Sequence, residues 1–162
     1  MPNDFYFDYI EYTRITTSTP DNKEETHIFE KTAVFSRKIG NYEVLGSSAI
    51  KVGFYNDSIS KVTVGYSNYQ LDKNLKILNI DEAINSIKSE KSLVDYDVNV
   101  LTNNNSHNQL KVKISNVYIV YVEHFYDDDS THIQPCYRFT GTITDDKSNS
   151  TEFVSLVQAI KY

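Results

Sequence analysis

The residues best equipped for chemistry crowd into one stretch, Glu123-His124-Phe125-Tyr126-Asp127-Asp128-Asp129-Ser130-Thr131-His132, with Cys136 four residues beyond. Carboxylates and imidazoles bind hard or borderline cations, which makes Glu123, His124, Asp127, Asp129 and His132 candidate metal ligands. Their spacing fits neither an EF-hand loop, with its central Gly and distal Glu, nor the His-Glu-x-x-His of zinc peptidases. The plainer reading of Asp127–Asp129 is a solvated hairpin turn whose charges keep a sheet soluble, and no metal or other cofactor is expected.

Cys136 paired with His124 or His132 would form a nucleophile and its base. A thiol on a strand next to Pro135 is more readily a small core residue, because reactive cysteines sit in accessible, electropositive settings. No Gly-x-Ser-x-Gly elbow is present, and five scattered glycines build no phosphate-binding loop. His27 lies in a strand pattern and His107 in an Asn-rich loop, both places of ordinary packing. No catalytic residue is assigned, and a non-enzymatic protein is expected.

The elements that must carry these residues are mostly strands. Aromatics are 13% of the 162 residues, with 13 Tyr and 8 Phe, and such residues favour a half-buried pleated surface. A net charge of −6 with no Lys/Arg cluster argues against a nucleic-acid partner. One cysteine makes no internal disulfide and leaves the redox compartment open. No apolar run reaches the roughly 18–20 residues of a membrane span. The Asn-, Ile-, Lys- and Tyr-rich composition suggests an AT-rich bacterial genome.

In chain order, residues 5–17 and 26–38 predict a long antiparallel hairpin across Thr19-Pro20-Asp21-Asn22. Alternation places Phe5, Phe7 and Tyr9 on one face and Tyr6, Ile10 and Tyr12 on the other. This Tyr-rich hairpin is either a binding face or an ordinary packed sheet. Gly40-Asn41 and Gly46-Ser47 predict breaks around a short Tyr42–Leu45 segment. A second hairpin turns at Asn56-Asp57, with Ile50, Val52 and Phe54 alternating before it and Val62, Val64 and Tyr66 on one side after it. Ile80, Ala83, Ile84 and Ile87 make one apolar stripe, predicting a helix over about 80–90 with Asn79 and Glu82 spaced as a capping box. Leu93–Leu101 is a candidate strand and Asn103–Asn108 a loop. Strands follow at Leu110–Val122, Ile133–Thr144 and Thr151–Ile160. The order predicts a single α+β domain over 1–162, with sub-structure at 1–46 and 47–162.

Two stretches carry a family resemblance. Residues 35–66 resemble the propeptides of thermolysin-type secreted peptidases and the related PepSY domains, through Phe35, Arg37, Gly40, Val44, Gly46, Val52 and Ile59. The helix Ile80–Ile84 is similar to one that recurs there. Tyr118–Tyr121, Gln134–Gly141 and Phe153–Ile160 resemble the closing strands of PepSY-like extracellular proteins. Asn41, Asn56-Asp57 and Cys136 depart from that pattern while keeping its turn or small-apolar roles. A more distant likeness is to the YycH/YycI-type regulators of a sensor kinase. The resemblance implies antiparallel hairpins packed by one main amphipathic helix. It also implies a non-catalytic protein, exported or anchored on the outer face of the membrane, that contacts a peptidase or an envelope signalling protein. Any export signal or anchor is expected upstream of these residues, with a cytoplasmic location still open. The alternative is a small-molecule or metal-binding module using the helix–sheet cleft or the 123–132 cluster.

Overall fold

The computed structural model describes residues 3–18, 21, 23–70, 74–89, 94–95, 111–125, 131–145 and 148–161. The chain divides into two compact units, Met1–Tyr69 and Gln70–Tyr162.

The first unit is an antiparallel meander of four strands. These are β1 (Phe5–Ser18), β2 (Glu24–Ile39), β3 (Tyr42–Tyr55) and β4 (Ser58–Val64), each paired with the next. Gly40, at φ 60, opens the two-residue turn between β2 and β3. Asn56 and Asp57 close the next hairpin at φ 47 and 59. Two positive φ angles define a type I′ turn, whose twist matches that of the flanking strands.

The expected break at Gly46-Ser47 is instead a wide bulge. Ser36 pairs with Ala49 and Arg37 with Val44, so residues 45–48 loop out of a strand that continues to Tyr55. Gly46 takes φ 152 there. A side chain at Gly65 would strike the Ser47 carbonyl, so glycine is needed for the approach of backbone to bulge.

The second unit contains α1 (Ile80–Lys88), β5 (Val94–Asp95), β6 (Lys111–Phe125), β7 (Thr131–Thr144) and β8 (Ser150–Gln158). Its sheet runs β6-β7-β8-β5, antiparallel throughout. Asn79 and Glu82 form the expected reciprocal capping box. Lys161 adds a 2.6 Å ion pair to Glu82, fixing the helix start to the C-terminal segment. Ala83 is fully buried, and Ile84 and Ile87 pack on Tyr137, Phe139, Ile143, Phe153, Val157 and Ala159. Ile80, the fourth residue of the predicted stripe, stays half exposed. Gly141 is required where β7 passes a bulge in β6, since a Cβ there would collide with the Lys113 carbonyl.

The protein is therefore mostly β, with 72% of the described residues in strands and 7% in a helix. This corrects the expectation of an α+β fold whose sheets are packed by a main amphipathic helix in the PepSY manner. The Val-, Ile-, Thr- and Tyr-rich runs extend into strands of up to 16 residues. A nine-residue helix covers only part of one sheet, and among the described residues the first unit has none.

Candidate functional site

The acidic and histidine-rich stretch lies at the end of the β6–β7 hairpin. His124 is the register partner of His132, and Glu123 that of Ile133. Neighbouring residues on a strand face opposite ways, so Glu123 and His132 belong to opposite faces of the sheet. Glu123 is buried and His132 exposed. Asp127 and Asp129 lie outside the described residues, as does His107. Among the described residues no three His, Cys, Asp or Glu side chains are grouped to hold a metal.

Cys136 is fully buried, and burial pushes its thiol up to about 11. Such a thiol is protonated and shielded at neutral pH, the opposite of a nucleophile's setting. The Gln-Pro step beside it does structural work. Gln134 accepts a 2.8 Å hydrogen bond from Gln158, and the Pro135 carbonyl accepts one from the Ala159 amide. Tyr137 donates a 2.7 Å bond to the Leu78 carbonyl. His27 forms an exposed surface pair with Glu25. Between α1 and its sheet, Ala83, Ile84 and Ile87 pack with the core side chains Tyr137, Phe139, Phe153 and Val157.

The two faces of the first unit's sheet are chemically unlike. In antiparallel strands, residues directly opposite each other project from the same face. One face is polar. Ser36 donates to Asp8 at 2.6 Å and Ser60 to Glu30 at 2.6 Å. On the same side Lys51 approaches Glu11, Tyr6 donates to Glu43, and the Lys38 ammonium lies 4.1 Å from the Tyr6 ring centre.

The other face is apolar. The register aligns Phe7 with Phe35 and Ile50, Ile10 with Ala33 and Val52, and Tyr12 with Lys31 and Phe54. β4 extends these rows with Val64, Val62 and Ile59. The inner residues Ala33, Phe35, Ile50 and Val52 are half-buried by their neighbours. The outer ones are open to solvent: Phe7 is 55% exposed, Ile59 64%, Val62 56% and Val64 62%.

This face differs from the sequence-based alternation in an instructive way. A bulge between Phe7 and Tyr9 makes Asp8 the extra residue. Beyond it the phase inverts, so Ile10 and Tyr12 join Phe5 and Phe7 while Tyr9 joins Tyr6. The Phe7 and Phe35 rings, 5.8 Å apart and edge-to-face, confirm the shared side. For β3 and β4 the alternation of Ile50, Val52 and Phe54, and of Val62, Val64 and Tyr66, was visible in the sequence. What it lacked was any sign that Val62, Val64 and Tyr66 stay exposed.

Arg37, in the Phe35-x-Arg37 motif, closes one end of the apolar face. It is buried, pairs with Asp4 at 2.9 Å and donates to the Ser67 carbonyl at 2.6 Å. Its guanidinium carbon stands 4.4 Å from the Tyr66 ring centre and 5.1 Å from that of Tyr69. With carboxylate, carbonyl and two aromatic faces satisfied, this cation ties segments together rather than presenting itself to a ligand. An open hollow of about 360 Å³ lies nearby, lined by Asn3, Asp4, Phe5, Tyr6, Lys38 and Gly40. Its two charged side chains already engage Arg37 and the Tyr6 ring.

No protein-family model, curated protein or solved structure matches this chain. The residues of the apolar face and the chemistry around them are therefore the ground for a functional reading.

Proposed function

We propose that this chain is a non-catalytic contact protein, working at the cell envelope or outside the cell, and that the apolar face of its N-terminal sheet is its working surface. The observation that carries this reading is the solvent-exposed row Phe7, Ile10, Tyr12, Phe54, Ile59, Val62 and Val64. Soluble domains seldom leave a contiguous apolar patch of more than a few hundred Å² uncovered, and those that do use it for contact. Strong polarisation between the faces sharpens the point. Charged and hydroxyl side chains predominate on the opposite face, which also holds Tyr9 and the buried Val34, while the apolar face carries Lys31 and, at one end, Arg37. The resemblance of residues 35–66 to propeptide and PepSY modules, which act by contact, supplies the partner class: a peptidase or an envelope signalling protein.

A photo-crosslinking residue tests this by position. Placed at Val64 in the intact chain in producing cells, it should capture protein. Placed at Thr63, the adjacent residue on the polar face, it should capture far less. Equal capture at both positions, or capture only at Thr63, sinks the proposal.

A further inference from the structure

The apolar face, taken as the contact surface proposed above, has a composition that discriminates among occupants. We infer that it is covered by the same face of a second copy of this chain, giving a two-fold symmetric, face-to-face sandwich of two four-stranded sheets.

Size is the first argument. At their observed exposures the seven open side chains present on the order of 700 Å², close to the roughly 800 Å² per partner of an ordinary stable interface.

Residue type is the second. Transient partner surfaces are marked by aromatic, Met and Arg anchors within a mixed polar patch. Apart from Arg37, already engaged at one end by Asp4 and the Ser67 carbonyl, this face has no Arg, Trp or Met, and its aliphatic residues outnumber its aromatic ones. It is built from Val, Ile and Phe with one Tyr and one Lys, the make-up of a domain core cut in half, which characterises permanent self-association. Its central residues Ala33, Phe35, Ile50 and Val52 are partly covered already. They would be the innermost part of the sandwich, with the exposed residues of β1 and β4 flanking them.

Geometry is the third. A twisted antiparallel sheet with one apolar face reaches a stable two-layer arrangement by packing on another such face, about 10 Å away and with strands near parallel. An identical sheet offers matching twist and matching area. Two-fold dimers are also the commonest assemblies, because one favourable contact is then made twice. The net charge of −6 opposes approach of two copies. That repulsion is screened within about 8 Å at physiological salt, so association should strengthen as salt rises.

Sedimentation equilibrium of the full chain tests this. The wild type should show twice the 18.7 kDa chain mass at micromolar concentration. Val62→Glu should be monomeric, whereas Thr63→Glu, with the same added charge on the opposite face, should remain dimeric. If Val62→Glu loses its β-sheet circular dichroism, Val64→Thr replaces it and should raise the dimer dissociation constant about tenfold, since each lost methyl counts twice. A wild type that is monomeric at every concentration overturns the dimer, as does a Val62→Glu dimer of unchanged affinity or a Thr63→Glu monomer. The contact reading is separable from this outcome. A monomer whose Val64 position still crosslinks to another protein rejects the second copy alone, and a monomer that crosslinks nowhere rejects both.

Discussion

The two units solve the same problem differently. Each builds an antiparallel sheet with an apolar face, and a sheet needs a second layer against that face. The C-terminal unit supplies its own, laying α1 over Phe139, Phe153 and Val157. The N-terminal unit has main strands of similar length, yet leaves the outer half of its apolar face in water. The contrast separates apolar residues that hold a fold from apolar residues held ready for something else. Alternation alone cannot separate them, because both obey period two.

The sharpest way to break the comparison is to remove a residue from each class. Phe139→Ala, in the centre of the C-terminal core, should cost about 3–5 kcal/mol by chemical denaturation, through lost burial and the cavity left behind. A loss below about 1 kcal/mol would mean that the helix-covered sheet is not the stabilising core described above.

A smaller effect is expected at the helix cap. Asn79→Ala removes the acceptor for the Glu82 amide and should cost about 1 kcal/mol, seen as a lowered denaturation midpoint. The Glu82 carboxyl is held below its ordinary range, first by the Lys161 hydrogen bond and then by the Asn79 amide. Its contribution is therefore present above the unfolded carboxylate pKa and is lost as pH falls through the lower folded value. The deficit of a Glu82→Gln variant should shrink on acidification, a sign that urea titrations at two pH values will check.

The smallest effect belongs to the open face. Val64→Thr should alter the stability of the isolated monomer by no more than about 0.5 kcal/mol, while still weakening association. A monomer loss comparable to that of Phe139→Ala would place Val64 in a covered core and erase the distinction between the units.

Much of the strand order was legible in the sequence, and the reason is local. Asn56-Asp57 announced a turn because both residues tolerate positive φ, and Asn79 with Glu82 announced a helix start because both ends of the capping box are side chains. The fold class expected from the sequence differs from the observed one because helical periodicity measures whether a helix exists, not how much sheet it covers. Gly46-Ser47 suggests a break in the sequence because a wide bulge and a chain break use the same residues. The candidate site was harder to see. Val62 and Val64 gave the right pattern, but exposure depends on what is absent above a face. The phase of β1 depended on Asp8, a polar residue whose role as the odd one out appears only in its pairing with β2. The 123–132 cluster looked like a site because its residues are close in sequence. Strand alternation sends Glu123 and His132 to opposite sides.

That same extra residue bears on how far association can go. β1 is the terminal strand of its sheet, and an unpaired edge invites strand after strand to add without limit. Asp8 interrupts the regular ladder close to that edge, twists it locally and sets a carboxylate beside it. Growth along the hydrogen-bonding direction is thereby discouraged, while stacking through the apolar face is used up once two copies meet. The bulge helps to keep a sticky protein from becoming a fibre.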